Sequence, residues 1–302
     1  MHFLFDDFKG WKAYCDRKHV KLYEPVLEYE KEQRGRSEEV IWEGLSKAYA
    51  VMKDAVETGL KEDMTSRSGM INNGAKKVYQ YPTAVLSVEF QRLISRALAA
   101  KEVNSCMGRI VAAPTAGASG ILPGTLYTLQ EIHGLEEQKI LEALLIGAGI
   151  ALIIEQKASL AGAVGGCQAE TGSAAAMASG AIVYCLGGDI DQIFNAVGIT
   201  IQCTLGLVCD PVAGLVEVPC VVRNASAAAI AYSSAQIALA GVSGVIPVDE
   251  CVEAMGEVGQ SMESRYKETA MGGLAATLTG QAISKKILIE DIEVLPDEVE
   301  PE

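Results

Sequence analysis

The chain has few aromatic residues, few histidines and no excess of positive charge. Only 6% of its 302 residues are aromatic while 49% are hydrophobic, so the core must be built mainly from aliphatic side chains. Lysine and arginine number 25 against 39 aspartates and glutamates, which gives a formal net charge of −14. Because no basic surface is available to replace the counterions of a phosphate backbone, we expect no nucleic-acid partner.

Three long stretches carry no charged residue, yet they lack the other features of membrane-spanning helices. The stretches cover 171–188, 192–209 and 224–248. They are rich in alanine, glycine and serine, include polar residues such as Asn195 and Gln202, and have no aromatic belt or flanking basic cluster. We therefore predict buried helices of a water-soluble protein and no membrane partner.

The N-terminus lacks the apolar core of a secretory signal, since Asp6, Asp7 and Lys9 interrupt it. Eight cysteines in such a chain suit a reducing compartment, where thiols stay free. We expect the protein to be cytoplasmic.

Apolar residues recur at helical intervals along most of the chain, whereas alternating strand patterns bounded by turns are sparse. Trp42 and Tyr49 belong to an amphipathic helix for which Ser37 is the expected N-cap. Further helices are expected from Pro82 onward, over 135–157, and as four small-residue helices after that. We predict a mainly α fold, a helical domain with Ala/Gly-rich central helices and cysteines on its loops.

Composition divides the chain into three regions. The first, 1–62, is the most polar and is expected to be a helical N-terminal region. The second, 63–285, contains the glycine-rich loops and the cysteine-bearing turns, and we expect it to be the catalytic domain. The third, 286–302, is an acidic tail that we expect to be disordered or to lie at an edge.

Cys167, Cys209 and Cys220 each lie in a turn with glycine or proline and with polar or charged neighbours. They are 42 and 11 residues apart, which is too far for a CxxC redox pair or a zinc knuckle. Three convergent thiolates suit a cubane iron–sulfur cluster with one iron left open, and an open iron is a Lewis acid. Zinc or no metal remain alternatives, because free cysteine often only fills space, as we expect of Cys185 and Cys203.

Two loops, 66–77 and 114–120, offer hydroxyl groups, glycines and a following helix. Exposed amides in such loops can bind a carboxylate, although a serine- and glycine-rich loop is more often an ordinary helix cap. A third segment, 267–274, is either the start of a helix with an exposed charged pair or part of the same site.

Five segments, taken in order, resemble the alpha chain of the iron–sulfur-dependent L-serine dehydratases. They are SRSGMINNGAKK, APTAGASGILPG, GGCQAETGSAAAMASG, CDPVAGLVEVPCVVRN and YKETAMGGLA, and the match runs from about residue 65 to 280. The resemblance implies conversion of L-serine to pyruvate and ammonia. It also implies a largely helical fold and a [4Fe-4S] cluster bound by Cys167, Cys209 and Cys220.

The resemblance implies further site residues. The substrate carboxylate and amine are expected to be bound by the two loops, through Ser66, Ser68, Gly69, Asn72, Gly74, Pro114, Thr115, Ala116 and Gly117. Arg223 is expected to bind a carboxylate or to hydrogen-bond at the cluster. The proton acceptor is unassigned among Lys267, Glu268 and a histidine of a partner chain.

The chain also departs from the family pattern. Single-chain relatives carry a further domain that is not found here, so the resemblance implies a separate beta chain and a hetero-oligomer. The tail ends in Pro301 and Glu302 rather than in a cysteine, which leaves the fourth cluster position open to water. Asn72 and Asn73 stand where glycines are expected.

Two other functions fit the same residues less well. A relative that removes sulfide from cysteine would use the same cluster, and a non-catalytic helical assembly subunit would need none. A pyridoxal enzyme is disfavoured, because neither Lys76, Lys77 nor Lys157 lies in a suitable phosphate-binding context.

Overall fold

The computed structural model describes residues 4–82 and 85–293. Over these ranges it contains thirteen α-helices and no β-strand, which confirms the prediction of a mainly α fold. The helices are α1 (Phe8–Lys18), α2 (Glu24–Arg34), α3 (Glu38–Lys61), α4 (Gly74–Gln80), α5 (Val88–Ser105), α6 (Ile121–His133), α7 (Glu137–Lys157), α8 (Gly162–Gly165), α9 (Ser173–Cys185), α10 (Ile190–Thr204), α11 (Cys220–Leu239), α12 (Val248–Ser261) and α13 (Leu278–Glu293). None of the helices in the described ranges has the length and apolar content to cross a bilayer.

Helix α9 forms the centre of the molecule. Every residue of α9 except Tyr184 is buried, and α6, α7, α10 and α11 pack around it. Its alanines, glycine and serines let these neighbours come close, since a Cβ on Gly180 would lie 2.6 Å from Ile150 Cδ1. The four small-residue helices expected after residue 157 correspond to α9, α10, α11 and α12.

The N-terminal helices pack on the same core. Phe8 and Trp11 are fully buried, and the Phe8 ring meets Phe194 of α10 edge-on at a centroid distance of 5.0 Å. The expected start of α3 is confirmed, because the Ser37 side chain accepts a hydrogen bond from Val40 N. Helices α1, α2 and α3 therefore contribute to the main core.

Two segments differ from the sequence expectation near their ends. The helix expected from Pro82 onward begins only at Val88, where the Ser87 side chain accepts from Phe90 N. The acidic region 286–302 begins inside α13, which continues to Glu293, while 294–302 lies outside the described residues. No proline occurs between Leu278 and Glu293, so every residue of α13 keeps its backbone donor.

A glycine substitution in α6 tests the close packing of these helices. A Cβ on Gly124 would lie 2.5 Å from the backbone nitrogen of Ala97 in α5. We expect Gly124→Ala to lower the free energy of unfolding by about 2 kcal/mol, measured by chemical denaturation, because the overlap is with backbone and cannot relax cheaply.

Gly44 of α3 is the matched control, since a Cβ there would meet nothing within 4 Å. Gly44→Ala should raise the free energy of unfolding by about 0.5 to 1 kcal/mol through reduced backbone entropy of the unfolded chain. Equal effects of the two substitutions would contradict the proposed close approach of α5 and α6.

Candidate functional site

The fold brings the three turn cysteines together. Cys167 precedes a π-helical turn, Gln168–Gly172, while Cys209 lies between α10 and α11 and Cys220 is the first residue of α11. Burial, together with the neighbouring charge of Cys167, raises the pKa of Cys220 to about 12. Burial likewise raises the pKa of Cys209, with Glu170 and Cys167 adding to the shift. The three thiols are free and close enough to interact electrostatically.

Arg223 connects the three cysteine segments. It lies three residues after Cys220, and its Nη1 donates to the carbonyl oxygen of Val208 at 2.7 Å. The same nitrogen lies 2.9 Å from Asp210 Oδ1, and the guanidinium charge acts on the Cys167 thiol, where it opposes the rise in pKa that burial causes. A single half-buried cation thus interacts with the segments of all three cysteines.

The segment 267–274 lies beside Cys209 and is not the start of a helix. Cys209 N donates to the Tyr266 carbonyl at 2.8 Å, and Glu268 N donates to the Cys209 carbonyl at 2.9 Å. Lys267 pairs with Cys209 in an isolated parallel bridge. Beyond Lys267 the segment bends, with positive φ at Glu268 and Ala270, and it enters a short 3-10 helix only at Gly273. The expected start of an α-helix at Lys267 is therefore wrong.

Asp210 fixes the far end of the same segment. Its Oδ2 accepts a hydrogen bond from Leu274 N at 2.7 Å. Gly273 has φ +55°, and a Cβ on it would overlap the Asp210 carboxyl group. Glycine is therefore required where the segment passes over the buried aspartate.

Glu170 lies between the second loop and Cys209. A Cβ on Gly117 would lie 3.1 Å from Glu170 Oε1, and one on Gly162 would lie 2.6 Å from Oε2. Burial raises the pKa of Glu170, and the charge of Glu268 raises it further. Ligand atoms of Glu170, Glu268 and Cys209 all lie within 4.8 Å of one another.

The first loop is attached to the turn that leads to Cys220. The hydroxyls of Ser66 and Ser68 both donate to Glu217 Oε2, at 2.7 and 2.5 Å. Gly69 has φ +72° and makes the tight turn of the loop. Because Glu217 is buried, these two serines satisfy a carboxylate that would otherwise be costly to exclude from water.

The amides at the start of α4 bind a carboxylate of the protein itself. Ala75 N donates to Glu102 Oε2 at 3.2 Å, and a Cβ on Gly74 would lie 2.6 Å from Glu102 Oε1. Asn72 is exposed, and its carbonyl accepts from Lys77 Nζ at 2.8 Å. The helix start that we expected to offer amides to a ligand is thus occupied by Glu102.

The second loop is attached to α11 by Asn224, which is fully buried. Asn224 Nδ2 donates to the Gly117 carbonyl at 2.8 Å, and Oδ1 accepts from Gly120 N at 2.9 Å. Pro114 and Thr115 are partly buried at the start of this loop, and Ala116 is exposed. The loop therefore has a fixed position relative to Cys220 one turn away.

Sequence reasoning missed five residues of this site. Four of them, Glu170, Asp210, Glu217 and Asn224, lie within four residues of one of the three cysteines, so proximity in sequence could have indicated them. The fifth, Lys101, is fully buried in α5 and donates to the Val216 carbonyl at 2.7 Å. Its only sequence signal is a lysine inside an apolar helical run.

Comparison with known proteins agrees with the geometry. The family described as serine dehydratase alpha chain matches residues 17–275. A protein of Peptoniphilus asaccharolyticus named L-serine dehydratase, alpha chain, is 43% identical, over 91% of this chain and 96% of the relative. A Bacillus subtilis (strain 168) protein named probable L-serine dehydratase, alpha chain, is 41% identical, over 94% of this chain and 95% of the relative. The Streptomyces coelicolor protein named L-serine dehydratase is 38% identical, over 84% of this chain and 57% of the relative. The chain belongs to the serine dehydratase alpha-chain family.

Proposed function

We propose that this chain is the alpha chain of an L-serine dehydratase, a lyase that converts L-serine to pyruvate and ammonia. The observation that carries the proposal is that the charges of Cys167, Cys209 and Cys220 interact, and that each glycine-rich loop is hydrogen-bonded to a residue near Cys220. The 43% identity to a protein named L-serine dehydratase, alpha chain, over nearly the whole length of both chains supports it.

A [4Fe-4S] cluster fits the donors at this site. The group close enough to share a single ion includes Cys209 but neither of the other two cysteines. In a cubane each thiolate binds a different iron, so three thiols that are close but do not share one position suit a cluster better than one ion. Arg223 and Lys101 place positive charge beside the thiols, which favours their ionised form.

When bound, the cluster would supply a Lewis acid at the iron without a protein thiolate, and this would make the β-hydroxyl of serine a better leaving group. The chain's own residues would bind and orient the substrate. We assign the substrate site to Ser66, Ser68, Gly69, Asn72 and Gly74 of the first loop and to Pro114, Thr115, Ala116 and Gly117 of the second. Gly74, whose amide is bound by Glu102, would contribute through the shape of the loop.

Ser66 and Ser68 of the first loop are hydrogen-bonded within the protein. Their hydroxyl protons are donated to Glu217, and their oxygens accept from the backbone amides of Met70 and Ile71. Ser66 and Ser68 therefore act on a substrate mainly by fixing the shape of the loop. Thr115, whose hydroxyl is buried next to Glu170, is better placed to contact the substrate directly.

Elimination of water from serine also needs a group that takes the Cα proton. Glu268 is the stronger candidate on this chain, because its carboxylate lies within 4.8 Å of both the Cys209 sulfur and a Glu170 oxygen. Lys267, the residue before Glu268, is the second candidate, because it pairs with Cys209 in the isolated bridge. A histidine of the partner chain is the third candidate. The enamine left after elimination would tautomerise and take up water to give pyruvate and ammonia.

A separate beta chain and a hetero-oligomer are part of the proposal. The Streptomyces coelicolor relative, whose name does not specify an alpha chain, is matched over only 57% of its length. The rest of such a relative is long enough for a further domain, which a beta chain would provide here. All eight cysteines are free, which suits the cytoplasm as the site of action.

Removing one cysteine tests the ligand assignment. We expect protein purified without oxygen to contain about four irons and four acid-labile sulfides per chain. Its broad visible absorbance should bleach in air together with loss of pyruvate formation from L-serine. Cys209→Ala should abolish iron binding, measured by iron and sulfide analysis, because it removes one of three thiolate ligands.

Cys185→Ala is the matched control, since this thiol is also buried but lies at the end of α9, away from the other cysteine turns. Equal iron content in the two variants would contradict the assignment. An iron-free preparation that still deaminates serine would contradict the cluster itself, and pyruvate formed from cysteine but not from serine would indicate a desulfidase.

Replacing Glu268 tests the proton acceptor. Glu268→Gln keeps the size of the side chain and removes its basicity, so we expect kcat with L-serine to fall about 100-fold or more at unchanged iron content. Glu263→Gln is the control, because Glu263 is exposed and pairs with Arg265 at 3.0 Å near the same segment. A kcat for Glu268→Gln within twofold of the wild type would assign the proton acceptor elsewhere.

A further inference from the structure

Lys101 is a buried cation that none of the roles predicted from the sequence uses. It lies in the last two turns of α5, it is 0% exposed, and it belongs to neither substrate loop nor cysteine turn. Burial of an ammonium group is costly unless the site compensates for it, so its presence here needs a reason.

The hydrogen bonds of Lys101 are those of an ammonium group, while burial lowers the pKa of this lysine to about 8. Nζ donates to the Val216 carbonyl at 2.7 Å, to Asn104 Oδ1 at 2.7 Å and to Ser105 Oγ at 3.2 Å. Three acceptors around one nitrogen match the three N–H groups of an ammonium ion. All three acceptors are neutral, so these hydrogen bonds leave the positive charge of the lysine uncancelled.

The surroundings of Lys101 place that charge toward the cysteine site. The groups whose charges act on it most strongly are Cys220, Glu217 and Glu170, in that order. Glu217 is already bound by the hydroxyls of Ser66 and Ser68. The Val216 carbonyl that Lys101 binds lies in the short turn leading to Cys220, so the lysine also fixes that turn.

We propose that Lys101 is an electrostatic positioning residue of the cluster site, which fixes the turn before Cys220 and raises the reduction potential of the bound cluster. The inference rests on the proposed function, because it concerns the cluster. A nearby positive charge favours the reduced form, which is the more negative one, and net charge near a cluster is one of the factors that set its potential.

The test uses the full alpha chain assembled with its beta chain and purified without oxygen. Iron and sulfide contents are measured first, and the potential is then measured by a dithionite titration followed by electron paramagnetic resonance. Lys101→Met should lower the equilibrium constant for cluster reduction about tenfold, which is about 59 mV for one electron. Lys101→Gln, which keeps a donor but no charge, should show a similar fall, and Lys101→Arg should stay near the wild-type value.

Lys61→Met is the control, because Lys61 pairs with Glu57 on the surface of α3 and should not affect the potential. Unchanged potential in Lys101→Met and Lys101→Gln would overturn the inference and leave the proposed function intact. Loss of the cluster from folded Lys101→Met and Lys101→Gln, with retention in Lys101→Arg, would support the inference. Loss of the cluster from all three variants would overturn it, because the role of Lys101 would then be purely steric. Wild-type protein without iron would instead contradict the proposed function.

Discussion

The arrangement of the site depends on the half-buried guanidinium of Arg223 and its partner Asp210. This ion pair has an N–O distance of 2.9 Å, and the Asp210 side chain is 3% exposed. Breaking a buried pair costs about 3 to 5 kcal/mol, because the remaining charge has no partner and little water. Arg223 also binds the Val208 carbonyl, its charge acts on the Cys167 thiol, and Asp210 binds Leu274 N. Loss of this pair would therefore release several chain segments at once.

The rest of the molecule stabilises the fold enough to hold such a polar site. Helix α9 and its neighbours form an aliphatic core of small residues in close contact, and the buried carboxylates Asp210 and Glu217 lie outside it, in the chain between α10 and α11. Buried carboxylates have named donors: Glu217 has two serine hydroxyls, and Glu102 has amides at the start of α4. Since unpaired polar groups are costly in a low dielectric, these donors restrict the loops to one arrangement.

Local features of the site were predictable from the sequence, and long-range ones were not. The turn context singled out Cys167, Cys209 and Cys220, which the fold places close enough for their charges to interact, and the Ser37 cap located the start of α3. The conformation of 267–274 was not predictable, because hydrogen bonds to Cys209 and Asp210, some sixty residues earlier, keep it out of a helix. The sequence led us to expect unpaired amides at the start of α4. Nothing local predicts that the carboxylate of Glu102, in α5, accepts a hydrogen bond from Ala75 N.

The sequence by itself determined a helical, aliphatic, acidic chain with three cysteines on turns, because periodicity, composition and turn residues act over a few positions. Only the tertiary structure decided which charged groups share the buried space around those turns. Lys101 and the Val216 carbonyl are 115 residues apart, and their contact exists because α5 packs beside the turn before Cys220. The cost of burying a charge depends on partners that only folding brings within hydrogen-bond distance.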